Sequence, residues 1–291
     1  MKAVAPLRVH IQGAGKIGRT LERDLRRAGW KVALHASRQA RPVRVDADVV
    51  ILAVRDGQLS AEAEAWVGVV ASHAVVLHMA GAVKPEVLAA LRGSCCGIGK
   101  LHPLVSVASH NAPSNWDGAY ALVAGDAQAV KAARMVASAV GMKALRGDDW
   151  DCVAYHAAAW LVAGGTVALF AAARDIMAGA GIEPTLAEKM MMPLLRSVAE
   201  NIARVGIPGA LSGVVRRADR DTLERHVHAV SNAASEHLPI YLAAARSQLR
   251  MGRELGEASN EALDELEKAI AMIQANEVID EAGASEHSSM M

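Results

Sequence analysis

Two groups of residues could do chemistry. The first is Gly13-Ala14-Gly15-Lys16-Ile17-Gly18, which places glycines at G-x-G-x-x-G spacing. In a strand–turn–helix context, Gly13 permits a tight turn, Gly15 lets backbone approach a pyrophosphate, and Gly18 lets helix and strand pack closely. A helix opening there offers unpaired N–H groups and its positive dipole end to phosphates. The second group is histidines, which titrate near neutral pH and so can hand a proton to a product heteroatom. His156 is the leading candidate for that donor, set against the plainer reading of a core histidine bonded to a backbone carbonyl. His102, before Pro103, is a candidate substrate contact or a loop-fixing hydrogen bond. His78 ends a strand-like run and would contact a cofactor or orient a loop. Asn201 could hold a substrate polar group or be plain helix surface. Lys100 and Lys189 are weaker candidates.

The elements that must position these groups follow from periodicity. Val9 to Ile11 read as a short buried strand, and Ile17, Leu21, Leu25 and Ala28 recur at helical spacing after the glycines. Val32 to Leu34 form a second strand, followed by His35-Ala36-Ser37-Arg38. A site for NAD usually places Asp or Glu at this strand end to take the ribose 2′-hydroxyl. Here a hydroxyl and a guanidinium stand instead, suited to a 2′-phosphate, so Ser37 and Arg38 point to NADP, with Arg41 or Arg44 able to share the role. Val49 to Val54 are a third strand, reached by a crossover too short for a full helix. Ala53, Val54 and Arg55 at its carboxyl end are candidate cofactor contacts, as is Gly81 after a fourth strand, Ala74 to Met79.

Helices are expected over Leu59–Val70, Pro85–Leu91 and Ala127–Val140, and strands over Gly97–Leu101, Ala119–Ala124 and Met142–Leu145. Beyond Asp149 no segment reads as a strand. Trp150 to Ala180 is one helix, or two joined near Gly164-Gly165. Thr185 with Glu188 reads as a capping box opening a helix whose Leu186, Met190, Leu194, Val198 and Ile202 share a face, kinked at Pro193 and closed by Gly206. Asp221 with Glu224 opens another, Pro239 suits the first turn of a further one, and Asn260 to Asn276 form the last. The expectation is an α/β Rossmann-like N-terminal domain with a mostly parallel sheet (1–148), an all-α C-terminal domain (149–278) and a frayed tail (279–291).

Composition narrows the classes. Net charge is zero and pI about 7.2, which gives no global field towards nucleic acid or an acidic membrane surface. The three cysteines have no C-x-x-C spacing and suit a reducing cytoplasm. The N-terminus reads as lacking a signal peptide. The uncharged stretch Ala157 to Ala173 is only mildly hydrophobic and at the lower length limit for a spanning helix of about 20 residues, so it is expected as a buried helix in a bundle or dimer interface. His226-x-His228 on a helix diverges too far for a metal pair. No G-x-S-x-G, Walker lysine or aromatic–basic face is present.

Together these signals resemble the bacterial Rossmann-like oxidoreductases that carry a helical C-terminal domain of uncharacterised function. These are distant relatives of 6-phosphogluconate dehydrogenase, ketopantoate reductase, pyrroline-5-carboxylate reductase and deazaflavin-dependent NADP reductases. The resemblance runs from about Leu7 to Ile273. It rests on Gly13 to Gly18, Ser37-Arg38, Ala53 to Asp56, His78 with Gly81-Ala82, and Leu101-His102-Pro103-Leu104. In the second half it rests on Tyr155-His156-Ala157-Ala158-Ala159, Glu200-Asn201 and Leu211-Ser212-Gly213 with Arg217 and Asp219. It implies an N-terminal NADP-binding domain, a helical domain, and a homodimer formed through the latter. It also implies reduction of a small carbonyl or imine compound in an interdomain cleft, with a ketopantoate reductase-like activity as the most specific form. The chain departs from the family pattern at Gly164, where members often carry Asn, and at Gly213-Val214, where they tend to read Gly-Pro. The competing reading is a non-catalytic NADP-binding sensor or scaffold.

Overall fold

Near-continuous apolar runs make the strands here, as expected for a parallel sheet covered on both faces. The computed structural model describes residues 6–288, with backbone alone beyond residue 275, so the end of the expected tail, 289–291, lies outside the described residues. The elements run β1 (Arg8–Gln12), α1 (Lys16–Arg27), β2 (Lys31–His35), β3 (Val49–Leu52), α2 (Leu59–Ala65), β4 (Val75–His78), a 3₁₀ helix (Pro85–Leu91), β5 (Gly97–Pro103), β6 (Tyr120–Gly125), α3 (Ala127–Ala139) and β7 (Lys143–Arg146). The strands form a seven-stranded sheet in the order β2-β1-β3-β4-β5-β6-β7. Neighbours are parallel except β5 and β6, which are antiparallel. The carboxyl ends of β1 to β5 therefore share one edge of the sheet, where ligands bind in open α/β folds.

Alternate side chains of the strands fill two apolar cores. Val9, Ile11, Ile51 and Leu77 pack with α1 and α3 on one face. Val50, Leu52, Val76 and Ile98 pack with α2 and Trp66 on the other. The second face matters for function, because the same alternation continues from Val76 to His78 and from Ile98 to Lys100 and His102.

Beyond the sheet, α4 (Cys152–Trp160) runs through a π turn (Leu161–Gly165) into α5 (Thr166–Gly179), followed by α6 (Pro184–Val205), α7 (Arg220–Ala234), α8 (Leu238–Leu255) and α9 (Asn260–Ser288). By internal contacts the chain divides into two compact units, Met1–Ala163 and Gly164–Met291, so α4 packs with the sheet. The second unit has its own core of Leu223, Val230, Leu242, Leu249, Leu263 and Leu266. There α5 and α7 approach so closely that a Cβ on Gly179 would overlap the Ala233 carbonyl.

Several local expectations are corrected. The helix at Leu59 stops at Ala65, because Val70 leaves it to bridge Val45 beside β3. Pro85–Leu91 is a 3₁₀ helix. The cap of α6 is Glu183 rather than Thr185: Pro184 has no N–H to offer, and the Glu183 carboxylate accepts from the Thr185 and Leu186 amides at 3.1 and 2.9 Å. Asp219, rather than Asp221, caps α7 by accepting from the Thr222 amide. The last helix continues to Ser288, past the expected end at Asn276. The α4–α5 run is not buried within the chain, since Trp160 and Val162 are 64% and 75% exposed. By length and composition alone it could cross a bilayer. The α6 stripe Leu186, Met190, Leu194, Val198 and Ile202 is exposed as well.

Gly13 has φ +115°, a conformation costly for any residue with a Cβ, and a Cβ there would overlap the Ala53 carbonyl oxygen. Gly13→Ala is expected to destabilise the protein by about 2 kcal/mol or more. Chemical denaturation of both proteins measures this, and an unchanged midpoint would remove the packing role given to this glycine.

Candidate functional site

Three strand ends meet at the glycine turn. The Gly13 amide donates to the His35 carbonyl at 2.8 Å and the Ala53 amide to the Gln12 carbonyl at 2.7 Å, tying β1 to β2 and β3. Gly18 packs so tightly on Gly13 that a Cβ on it would overlap the Gly13 carbonyl. Gly15 is the opposite case. Among the described residues a Cβ there meets nothing within 4 Å, and Gly15 precedes α1 with no side-chain cap and no acidic residue in the helix's first turn. The glycine positions thus separate into two that hold backbone against backbone and one that faces open space beside uncapped amides. Lys16 is exposed, whereas Ile17 packs against the core. Ser37 and Arg38 lie exposed in the turn after β2, which is closed by the Gln39 amide on the Ala36 carbonyl at 2.9 Å. Ala53 and Val54 are half-buried after β3, and Arg55 is exposed.

A second cluster occupies the same edge at β4 and β5. His78 and Lys100 are register partners on these parallel strands. His78 is fully buried and its Nδ1 accepts from the Ala80 amide at 3.2 Å. Lys100 is 1% exposed, and its ammonium donates to the Gly81 carbonyl at 2.5 Å. Burial pushes the Lys100 pKa down, and coulombic interaction with nearby Asp56 opposes that shift. Burial, with the Lys100 charge beside it, lowers His78 to about 3. His102 lies two residues along β5 on the same face. Burial first, then Lys100 and His156, lower it to about 4, so it is neutral at physiological pH.

Helix α4 closes the cluster. Asp151 caps it by accepting from the Val153 and Ala154 amides. The Cys152 thiol donates to the Ala82 carbonyl at 3.1 Å. Tyr155 Oη and His102 Nδ1 are 3.1 Å apart, and burial raises the phenol pKa, so the hydroxyl keeps its proton. The His156 ring meets His102 edge-on, with centroids 5.5 Å apart. It lies so close over Gly81 that any Cβ there would collide with Nδ1. That Nδ1 is buried without a hydrogen-bond partner among the described residues. The cluster is chemically a phenol and three imidazoles, those of His78 and His102 held neutral, around one buried amine.

His102, Tyr155 and His156 face a pocket of about 710 Å³, walled by the end of β5, the segment Leu104–Ser106, and α4 with its π turn. Every lining residue belongs to the sheet-bearing unit. The connection from β5 to β6 that supplies part of this wall is bound to α1. Arg23 donates to the His110 and Ala112 carbonyls at 2.7 and 2.9 Å, and the Trp116 indole donates to Asp24 at 2.7 Å. Burial works to raise the Asp24 pKa, but bonds from Arg23, Ser114 and Trp116 hold it below the usual carboxylate range.

His156, His102, His78 and Gly81 are therefore brought together. Asn201 lies in the helical unit, where its side-chain oxygen accepts from Arg204 one turn along α6 at 2.7 Å. Sequence reasoning passed over Tyr155 and Cys152 as site residues and ranked Lys100 low. A signal existed for each: Lys100 shares the period-two face of Ile98 and His102, and Cys152, Tyr155 and His156 share the i, i+3, i+4 face of a helix.

Residues 119–248 match the profile of a family described as a domain of unknown function, DUF2520. A search of curated proteins finds no match. Among solved structures, the chain is similar to the Bacteroides fragilis protein BF3122, named as a candidate NADP oxidoreductase: TM-score 0.70, 16% identity, 83% of this chain and 97% of that one covered. It is also similar to the Thermotoga maritima protein TM1727, with TM-score 0.63, 19% identity and coverage of 86% and 100%. A reductive aminase from Aspergillus terreus, solved with NADPH and ethyl levulinate, aligns at TM-score 0.57, 15% identity and coverage of 86% and 95%. At these identities the shared property is the fold, a Rossmann-like α/β unit followed by helices.

Holding His78 and His102 neutral couples stability to acid. Both imidazoles titrate near 6.5 when unfolded and far lower when folded. Between pH 6.5 and 4 the unfolded chain therefore binds protons that the folded chain refuses, and stability falls as pH drops through that window. The urea midpoint is expected to decline from pH 7 to pH 4. His102→Gln should flatten part of that slope, and an unaltered slope would contradict the buried, neutral state of His102.

Proposed function

We propose that this chain is an NADP(H)-dependent oxidoreductase that reduces the C=O or C=N bond of a small molecule in the pocket beside His102, Tyr155 and His156. The observation that carries this reading is the placement of two chemically complementary features on one sheet edge. One is the turn whose Gly15 faces open space beside uncapped α1 amides; the other is a proton-bearing phenol paired with a neutral imidazole. β1 and β5 are three strand spacings apart, about 14 Å. Gly13 to Gly18, with Ala53, Val54 and Arg55, would hold the pyrophosphate, and Gly81 would face the nicotinamide, with the buried His78 supporting that loop through the Ala80 amide. Ser37 and Arg38 would take the 2′-phosphate, and the chain has no Asp or Glu between His35 and Val45 to favour a free 2′-hydroxyl. The fold shared with the NADPH-bound reductive aminase supports this arrangement.

NADPH, when bound, supplies the hydride. The residues of this chain must then place the electrophile and deliver a proton. We assign the proton to Tyr155. With His102 as the Nδ1–H tautomer, the imidazole donates to the phenol oxygen and leaves the hydroxyl hydrogen free for the substrate heteroatom. As that proton moves to the product oxygen or nitrogen, the His102 N–H steadies the phenolate, which is reprotonated from solvent. His156 fixes the far side of the His102 ring and covers Gly81. Lys100 holds the Gly81 carbonyl from below. The family resemblance implies reduction of a 2-oxo acid of the ketopantoate type, an expectation that the lining of the pocket weighs against.

We place the protein in the cytoplasm, as its unpaired cysteines suit. We also infer a homodimer through the helical unit. The exposed α6 stripe is too long and apolar to be ordinary monomer surface. Leu194→Glu, at its centre, should convert a dimer to monomer in sedimentation velocity, and a wild-type monomer at micromolar concentration would refute the assembly.

NADPH should bind at least tenfold more tightly than NADH in a fluorescence titration, with the preference lost in Arg38→Ala. Equal affinities would sink the Ser37–Arg38 assignment. On whichever ketone, imine or 2-oxo acid is turned over, Tyr155→Phe should lower kcat on the order of 100-fold or more and leave NADPH affinity intact. Full activity in that variant would move the donor role to His156, which His156→Ala then tests.

A further inference from the structure

Resting on the reductase reading, we infer that the pocket selects an uncharged, largely apolar ketone or imine and discriminates against 2-oxo acids and other carboxylated substrates. The argument is one of lining chemistry. A carboxylate taken from water into a partly enclosed site needs a fixed cation or several donors to replace its hydration. Among the described residues, those lining this pocket include no arginine or lysine. Their polar members are His102, Ser106, Tyr155 and His156, and the rest are apolar, among them Leu104, Val105, Ala159, Trp160 and Val162.

His102, Tyr155 and Lys100 do not supply the missing charge. His102 is held neutral by burial, and Tyr155 keeps its proton. Lys100 lies behind the wall, 1% exposed, with its ammonium committed to the Gly81 carbonyl. What remains is the phenol–imidazole pair, with His156 and Ser106 beside it, to orient a heteroatom and an apolar wall to receive the rest of the molecule. A volume of about 710 Å³ falls within the range of small-molecule sites. The apolar side chains at the mouth point the same way: Leu104, Trp160 and Val162 stand 43%, 64% and 75% exposed beside it.

The test compares a matched pair, 4-methyl-2-pentanone and 4-methyl-2-oxopentanoate, by isothermal titration calorimetry on the full-length protein, with and without NADP⁺. The ketone is expected to bind at least tenfold more tightly than the oxo acid. Leu104→Arg, a change at a half-exposed position that the fold can accommodate, should improve oxo-acid affinity at least tenfold. Equal or tighter wild-type binding of the oxo acid, binding of neither compound, or no gain in Leu104→Arg would overturn the inference. The reductase reading fails separately, if NADPH itself does not bind. The ketone and oxo-acid order measured without cofactor then still decides what the pocket accepts.

Discussion

The constraint on which the site depends is the backbone contact of Gly13 with Ala53. It is where the carboxyl ends of β1 and β3 close on each other, with the β2 end joined through the His35 carbonyl. No side chain fits in that junction, and none fits between Gly18 and Gly13. Helix α1 consequently leaves the sheet at a fixed angle with its first amides outward. Its far side, through Arg23 and Asp24, holds the connection that becomes a wall of the pocket. The glycine turn and a wall of the pocket are thereby tied to one helix, by backbone approach at its start and by polar bonds from Arg23 and Asp24 along its flank.

The chemistry of the site is set by a conflict between burial and charge. Placing His78, Lys100 and His102 on one face of two neighbouring strands would put three basic groups together out of water. Desolvation resolves it by keeping both imidazoles neutral, and the single amine is anchored on a carbonyl. A neutral His102 can then serve as a hydrogen-bond partner to Tyr155 rather than as a competing acid. Gly81 is part of the same solution, since only a residue without Cβ lets the His156 ring lie flat over the loop end and against His102.

Much of this was legible along the chain because it is local. The glycine spacing, the buried runs at Val9 and Val49 and the helical repeat after Gly18 each depend on neighbours a few residues away, and the structure contains them as read. The site was less legible because its pairs are distant: His102 and Tyr155 are separated by 53 positions, and a lone tyrosine on an alanine-rich helix carries no sign of its partner. Lys100 was masked by its own type, since lysine reads as surface unless the alternation Ile98–Lys100–His102 is given more weight than its charge. The capping error at Thr185 has the same origin. The motif matched, but Pro184 removed a donor and shifted the helix start back to Glu183. Periodicity showed that Leu186 to Ile202 share a face on α6, yet could not show that this face looks outward.

The π turn Leu161–Gly165 brings these threads together. Such turns interrupt an α-helix at a cost in regular bonding and often mark functional sites. This one contributes Val162 and Ala163 to the pocket wall, and the chain divides into its two units at its Ala163–Gly164 bond. The wall composition and the suppressed charge of His102 both lower the polarity of the same corner, the direction in which a pocket comes to favour groups without charge.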